Sequence, residues 1–154
     1  MPRPFDPNHL LGAPLMANLA TQSPQGPRNA PMWFLWEDEA LWMPSSANAS
    51  SAKRLATAPD AAVEIVEFQP QHGTLLHLGL RGPAQVEPMD IPRFTRLLAK
   101  YLGPDPTTWN PWFMDQIARP DDPEGRLIRL APTSIFTNNS SYFLTGPELA
   151  WPKE

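Results

Sequence analysis

The sequence predicts a mainly β domain with a few helices, a small barrel built from a single domain of 154 residues. Three observations carry this. Apolar runs of strand length follow one another in meander order from Leu15 to Val86, separated by Pro, Gly and acidic turn residues. Glycines sit inside the longest run, at Gly79 and in the pair Gly82-Pro83, and mark a bulge or a barrel corner. A strongly amphipathic helix, Asp90 to Leu102, follows only after these strands.

Leu15 to Thr21 reads as the first strand, with Ser23-Pro24-Gln25-Gly26 as the turn behind it. Ala30 to Trp36 is the second. Met32, Phe34 and Trp36 point to one side of it and Trp33 and Leu35 to the other, so both faces need cover. Glu37-Asp38-Glu39 is a short charged turn into Ala40 to Pro44, which closes a hairpin. A brief helix, about Ser50 to Ala58, stops at Pro59. Ala61 to Phe68 alternates, with Val63 and Ile65 against Glu64, Val66 and Phe68, and the loop Gln69 to Gly73 returns the chain into Thr74 to Val86.

In the amphipathic helix Asp90 is the N-cap, Pro92 occupies the first turn, Phe94, Leu97, Leu98, Tyr101 and Leu102 share a face, and Gly103-Pro104 ends it. A second helix is expected over about Thr107 to Ala118, with Trp109, Trp112, Phe113 and Ile117 on its apolar side. Arg126 to Asn138 is the last strand. The Pro- and Gly-interrupted tail, residues 139–154, is expected to lie over the surface.

Composition narrows the function. The 42% apolar content is enough for a core without metals or disulfides. Proline is abundant, yet Pro and Gly together are 21 + 8 = 29 residues, short of a low-complexity composition, so the prolines punctuate short elements. A net charge of −4 with no Lys/Arg cluster argues against nucleic acid as a partner. Absence of cysteine excludes disulfide frameworks, thiolate zinc sites and cysteine nucleophiles. The start, Met1 to Pro7, has no signal-peptide h-region and no run is long enough to span a membrane, so a cytoplasmic protein without membrane association is expected. His9, His72 and His77 lack zinc-ligand spacing, and no Gly-rich phosphate loop occurs. Asp121-Asp122 and Glu37-Asp38-Glu39 read as solvated turns.

The stretch Trp42 to Leu55 is the most suggestive of a ligand. An aromatic strand breaks into hydroxyls at Ser45 and Ser46, then a helix opens with Ser50, Ser51 and Lys53. Free N–H groups at a helix start beside Ser hydroxyls and a cation suit a phosphate; the same residues also serve as an ordinary cap and turn.

In order and spacing, several segments resemble one known family. Leu19-Ala20-Thr21 before Ser23 to Gly26, the aromatic strand Trp33-Phe34-Leu35-Trp36, Leu41-Trp42 running into hydroxyls, the Lys/Arg helix, and Ala58-Pro59 before Ala61 to Ile65 are together similar to pyridoxamine 5′-phosphate oxidase-like proteins. The likeness covers roughly residues 15–86 and, more weakly, 126–138. It implies an FMN-binding split β-barrel, usually a homodimer with FMN at the subunit interface, with its core over about residues 10–138.

Carried over residue by residue, the resemblance assigns Ser45 and Ser46 to the hydroxyls that hold the FMN phosphate. A gap-free register then puts Ala49, Ser50 and Ser51 on the family's Ser-Arg-Lys run and loses both cations; a helix shorter by two residues puts Ser51-Ala52-Lys53 there and keeps the lysine. Met32, Trp33 and Phe34 fall where the isoalloxazine is contacted, largely through backbone groups, and serve equally as core or interface residues. His77, counted back from Gly82, takes the place of a flavin-facing glutamine, or is an ordinary histidine of an apolar strand.

The family's C-terminal Trp and Arg-x-His-x-Arg segment has no counterpart, since the strand end reads Ile135-Phe136-Thr137-Asn138 and no Arg or His follows Arg129. Vitamin B6 phosphate is therefore not the expected substrate. The resemblance implies an FMN-dependent oxidoreductase acting on a small molecule, with NAD(P)H as an electron source. The alternatives are a non-catalytic dimer whose cleft takes heme, a deazaflavin or a metabolite, and a stress-associated dimer with an empty cleft.

Overall fold

A computed structural model describes residues 5–119 and 122–142. Eight strands form one antiparallel sheet: β1 (Ala17–Thr21), β2 (Arg28–Met32), β3 (Leu35–Glu37), β4 (Ala40–Ser46), β5 (Asp60–Gln69), β6 (Thr74–Pro88), β7 (Gly125–Leu130) and β8 (Ser134–Asn139). Four helices accompany it: α1 (Asn8–Leu11), α2 (Ser50–Thr57), α3 (Ile91–Leu102) and α4 (Pro111–Ile117). The order is β2-β1-β5-β6-β7-β4-β3, with β8 also on β6. The sheet curls around one apolar core without closing, because β2 and β3 remain at its two ends.

Strand β6 makes this shape. Its first part pairs with β5 and β8, and from Ala84 onward it pairs with β7. The change of partner falls at Gly82-Pro83, the expected corner. A Cβ on Gly82 would lie 2.5 Å from the Ala131 carbonyl oxygen and 3.1 Å from Pro132 Cα, so only glycine lets the 131–133 bend approach this closely. The Thr133 N–H donates to the Arg81 carbonyl at 2.8 Å and pins the two segments together.

Two predicted strands are each divided in the structure. Ala30 to Trp36 is not one strand: β2 ends at Met32, pairs with β1, and the chain leaves the ladder at Trp33-Phe34 before β3 pairs with β4. The expected alternation nonetheless holds. Met32, Phe34 and Trp36 pack on the main core, while Trp33 and Leu35 pack on a second cluster around Leu97, Leu98 and Trp109. That second face is covered by the chain's own α3 and α4, so it does not call for a second subunit. Arg126 to Asn138 likewise divides into β7 and β8, since Pro132 has no N–H to give a ladder and stands in the bend between them.

Local signals account for the ends of the helices. Asp90 caps α3 by accepting from the Arg93 N–H at 3.1 Å, and Gly103, at φ 101°, ends it. The second helix is shorter than expected: a 3₁₀ turn occupies Pro106–Thr108 and α4 starts at Pro111 behind its cap Asn110.

The β3–β4 hairpin turns through Asp38 and Glu39, both at positive φ (54° and 56°), as a two-residue connection requires. Here the sequence reading needs correction, because this acidic turn is not merely solvated. Arg96 Nη2 donates to Glu37 Oε1 at 2.6 Å and Arg93 Nη2 to Asp38 Oδ2 at 2.6 Å, while the Arg93 guanidinium lies 3.7 Å over the Trp42 ring. Arg96 foremost, with Arg93, holds the Glu37 carboxyl below its usual range, against the opposing effect of burial. The turn thereby anchors α3 to the sheet. Residues 143–154 lie outside the described residues. No described helix is long and apolar enough to cross a membrane.

Candidate functional site

The residues singled out in the sequence occupy four places. Ser45 and Ser46 end β4, directly opposite Arg126 and Gly125 in the β4–β7 ladder. Ser50, Ser51 and Lys53 belong to the first turn of α2, whose N-cap is Ala49 and carries no side-chain hydrogen bond. Met32, Trp33 and Phe34 lie at the β2–β3 crossing. His77 stands mid-strand in β6.

The strongest charged arrangement is a groove of about 540 Å³ between α2 and the β6–β7 region, on which Lys53 and Arg126 meet with Gln85 and a run of alanines. Arg126 was not legible as a site residue, since only the pairing of β7 with β4 brings it there. It donates Nη1 to the carbonyls of Pro123 and Gly125, both at 2.8 Å, which fixes the guanidinium and, among the described residues, leaves its other donors open. Ser45, its cross-strand partner, has a buried hydroxyl with no hydrogen-bond partner among the described residues. Although the two residues pair across the ladder, Ser45 lines a different cavity from the groove of Lys53 and Arg126. Arg54 does not line this groove; its Nε donates to Thr21 Oγ1 at 2.8 Å and ties α2 to β1.

Phe34 presents little to a ligand. Its ring is fully buried, its N–H donates to Tyr101 Oη at 2.9 Å, and its carbonyl accepts from Lys100 Nζ at 3.1 Å. Tyr101 in turn donates to the Leu15 carbonyl at 2.6 Å, and Trp33 stacks on the Tyr101 ring at 4.5 Å. Lys100 also donates to the Leu11 carbonyl at 3.0 Å, and burial pushes its ammonium down to about 7. These two α3 side chains supply the hydrogen bonds that the broken strand no longer finds in a ladder. They work as a brace.

His77 lies on the outer face of β6 with Gly79 and Arg81, opposite in direction to the buried Leu76, Leu78 and Leu80. It faces a trough of about 410 Å³ floored by Ala20, Ala62 and Gly79. Its Nε2 is 3.4 Å from Glu64 Oε1, and Phe136 stands edge-on to the ring at 5.8 Å. None of the cavities holds His77 together with Lys53 or with Ser45 and Ser46. Among the described residues no cluster of His, Asp and Glu could hold a metal ion.

A curled antiparallel sheet left open at its ends, with helices over one side and ligand-sized grooves outside the core, defines a split β-barrel. No protein-family model matches the chain, and no curated protein matches it in sequence. Solved structures do. An F420 reductase superposes with a TM-score of 0.65 at 23% identity, covering 87% of this chain and 98% of that one. HutZ, the heme storage protein from Vibrio cholerae, gives 0.63 at 18%, covering 87% and 92%. An FAD-binding protein from Mesorhizobium loti gives 0.61 at 16%, also covering 87% and 92%. The fold is that of the pyridoxamine 5′-phosphate oxidase-like split barrels, as the sequence resemblance implies.

Proposed function

We propose that this protein binds a flavin-type cofactor, FMN in the first instance, as a homodimer, and that it serves as an oxidoreductase for a small organic molecule. The meeting of Lys53 and Arg126 on one groove carries the reading. Two cations from separate elements fit the phosphate of such a cofactor, and a groove of about 540 Å³ leaves room for the rest of it. Lys53 and Arg126 would hold the phosphate, and the hydroxyls would replace part of the positive charge the family places at its helix start. A bound flavin supplies the electron-transfer chemistry, so the reaction needs no acid–base constellation from the chain.

The neighbours named for F420 and for FAD favour a flavin or deazaflavin; the heme storage neighbour shows that the fold by itself does not set the ligand. In this reading His77 reaches the ligand from the second copy. The dimer would lie along the outer face of β8, where Phe136 is 46% exposed beside the small-residue trough.

Titration with FMN and with riboflavin tests the site. Lys53→Ala and Arg126→Gln should each weaken FMN by one to two decades, the worth of a charged hydrogen bond at about 1.5–3 kcal/mol, and leave riboflavin unchanged. Equal losses for both ligands, or heme binding without flavin binding, would overturn the reading. Light scattering that shows a monomer at all concentrations would remove the dimer.

A further inference from the structure

We propose that a cavity between the β3–β4 turn and the bend from β7 to β8 binds a free α-amino acid with an apolar side chain. This cavity of about 390 Å³ shares no residue with the groove of Lys53 and Arg126 or with the trough beside His77. Its size suits a molecule with a single ring.

Opposite charges balance in it. Of the two acids that line it, Asp38 is neutralised by Arg93, whose Nη2 donates to Asp38 Oδ2 at 2.6 Å. Glu39 follows in the same two-residue turn, and Arg129 lines the cavity from β7. Among the described residues the Glu39 and Arg129 side chains make no ion pair within 4.0 Å, with each other or with any other group. A lone carboxylate or a lone amine would meet one charge that suits it and one that opposes it. A zwitterion meets both in its favour, its ammonium toward Glu39 and its carboxylate toward Arg129.

Packing steadies the cation and supplies the place for a side chain. The Arg129 guanidinium carbon lies 5.7 Å over the Trp42 ring, a contact that holds the group while leaving its N–H edge for a carboxylate. The remaining wall is apolar, made by the half-buried Trp36 with Pro132 and Ile135. Ile135 pairs with the buried Leu80 and so shares its face of the sheet, yet it is 46% exposed. An apolar side chain laid against Trp36 and Ile135 would cover surface that no described residue covers.

The test is calorimetric titration of the full chain with L-phenylalanine, and with N-acetyl-L-phenylalanine and L-phenylalaninamide, which keep the ring and remove the ammonium or the carboxylate in turn. Saturable binding of L-phenylalanine at one site per chain is expected, with each blocked compound about tenfold weaker. Glu39→Gln should weaken L-phenylalanine by about tenfold and leave N-acetyl-L-phenylalanine unchanged. Arg129→Gln should weaken L-phenylalanine to the same degree and leave L-phenylalaninamide unchanged. Lys53→Ala should leave L-phenylalanine unaffected, which separates this site from the cofactor groove. Absence of saturable binding, or the parent affinity for L-phenylalanine in either Glu39→Gln or Arg129→Gln, would overturn the site. Equal affinity for L-phenylalanine and either blocked compound would overturn the zwitterion as its ligand, and loss of binding in Lys53→Ala would overturn it as a separate site.

Discussion

Replacing Gly82 with alanine tests the account of the barrel corner. The added Cβ would stand 2.5 Å from the Ala131 carbonyl oxygen and 3.1 Å from both Pro132 Cα and Thr133 N. All three are backbone atoms, so no side-chain rotation relieves the contact. To reach an ordinary separation, β6 and the 131–133 bend must part by roughly 1 Å, which stretches the 2.8 Å Thr133 N–H to Arg81 carbonyl bond beyond useful length. Overpacking of this kind costs about 1–3 kcal/mol and the lost hydrogen bond about 1 kcal/mol, for a total near 2–4 kcal/mol. At this chain length that lowers Tm by about 6–12 °C. Gly79 in the same strand is the control, because a Cβ there meets nothing nearer than Phe136 Cβ at 3.8 Å. Gly79→Ala should be neutral or slightly stabilising. Urea unfolding of the two variants beside the parent chain measures the difference. Equal midpoints for Gly82→Ala and Gly79→Ala would refute the reasoning, since it rests on the close approach and not on glycine as such.

Two further predictions concern the brace on α3. Burial holds the Lys100 pKa near 7 in the folded chain against the ordinary 10.5, so between these values the unfolded chain binds more protons and stability rises with pH. That gain is complete above the ordinary value and lost as pH falls toward 7; Lys100→Met should flatten urea midpoints measured from about pH 7 to 9.5, and an unchanged slope would exclude Lys100 as its source. Tyr101→Phe removes the hydroxyl that accepts from the Phe34 N–H and donates to Leu15, while keeping the ring on Trp33. It should cost about 1–3 kcal/mol and speed hydrogen exchange at the Phe34 amide, and protection equal to the parent would show that the hydroxyl is not the partner.

Much of the fold was legible before any coordinates. Period-two alternation placed β5, and apolar runs bounded by turn residues placed β1 and β6; that His77 lies on the outer face, opposite Leu76, Leu78 and Leu80, came from the structure. Asp90 and Gly103 bounded α3, and Gly82-Pro83 marked the corner, because caps and close approaches act through a residue's immediate neighbours. The two-sided apolar pattern around Phe34 was also correct. What it could not tell was whether the chain stays in the ladder, since a strand covered on both sides and a crossing wedged between two cores bury the same residues. The break between β7 and β8 was more accessible, as Pro132 stands in the run itself.

The candidate site depended far more on tertiary structure. Local sequence brought Ser45, Ser46 and Lys53 near one another but left the second cation missing. Arg126 comes to the same groove as Lys53 only through the docking of β7 between β4 and β6. In the same way Glu37 reads as a solvated acid until α3 lays Arg93 and Arg96 against it. Caps, alternation and corners are written in adjacent residues and survive in the sequence. A charge constellation depends on the register of strands and the docking of helices distant along the chain, and that is decided by burial of the whole core.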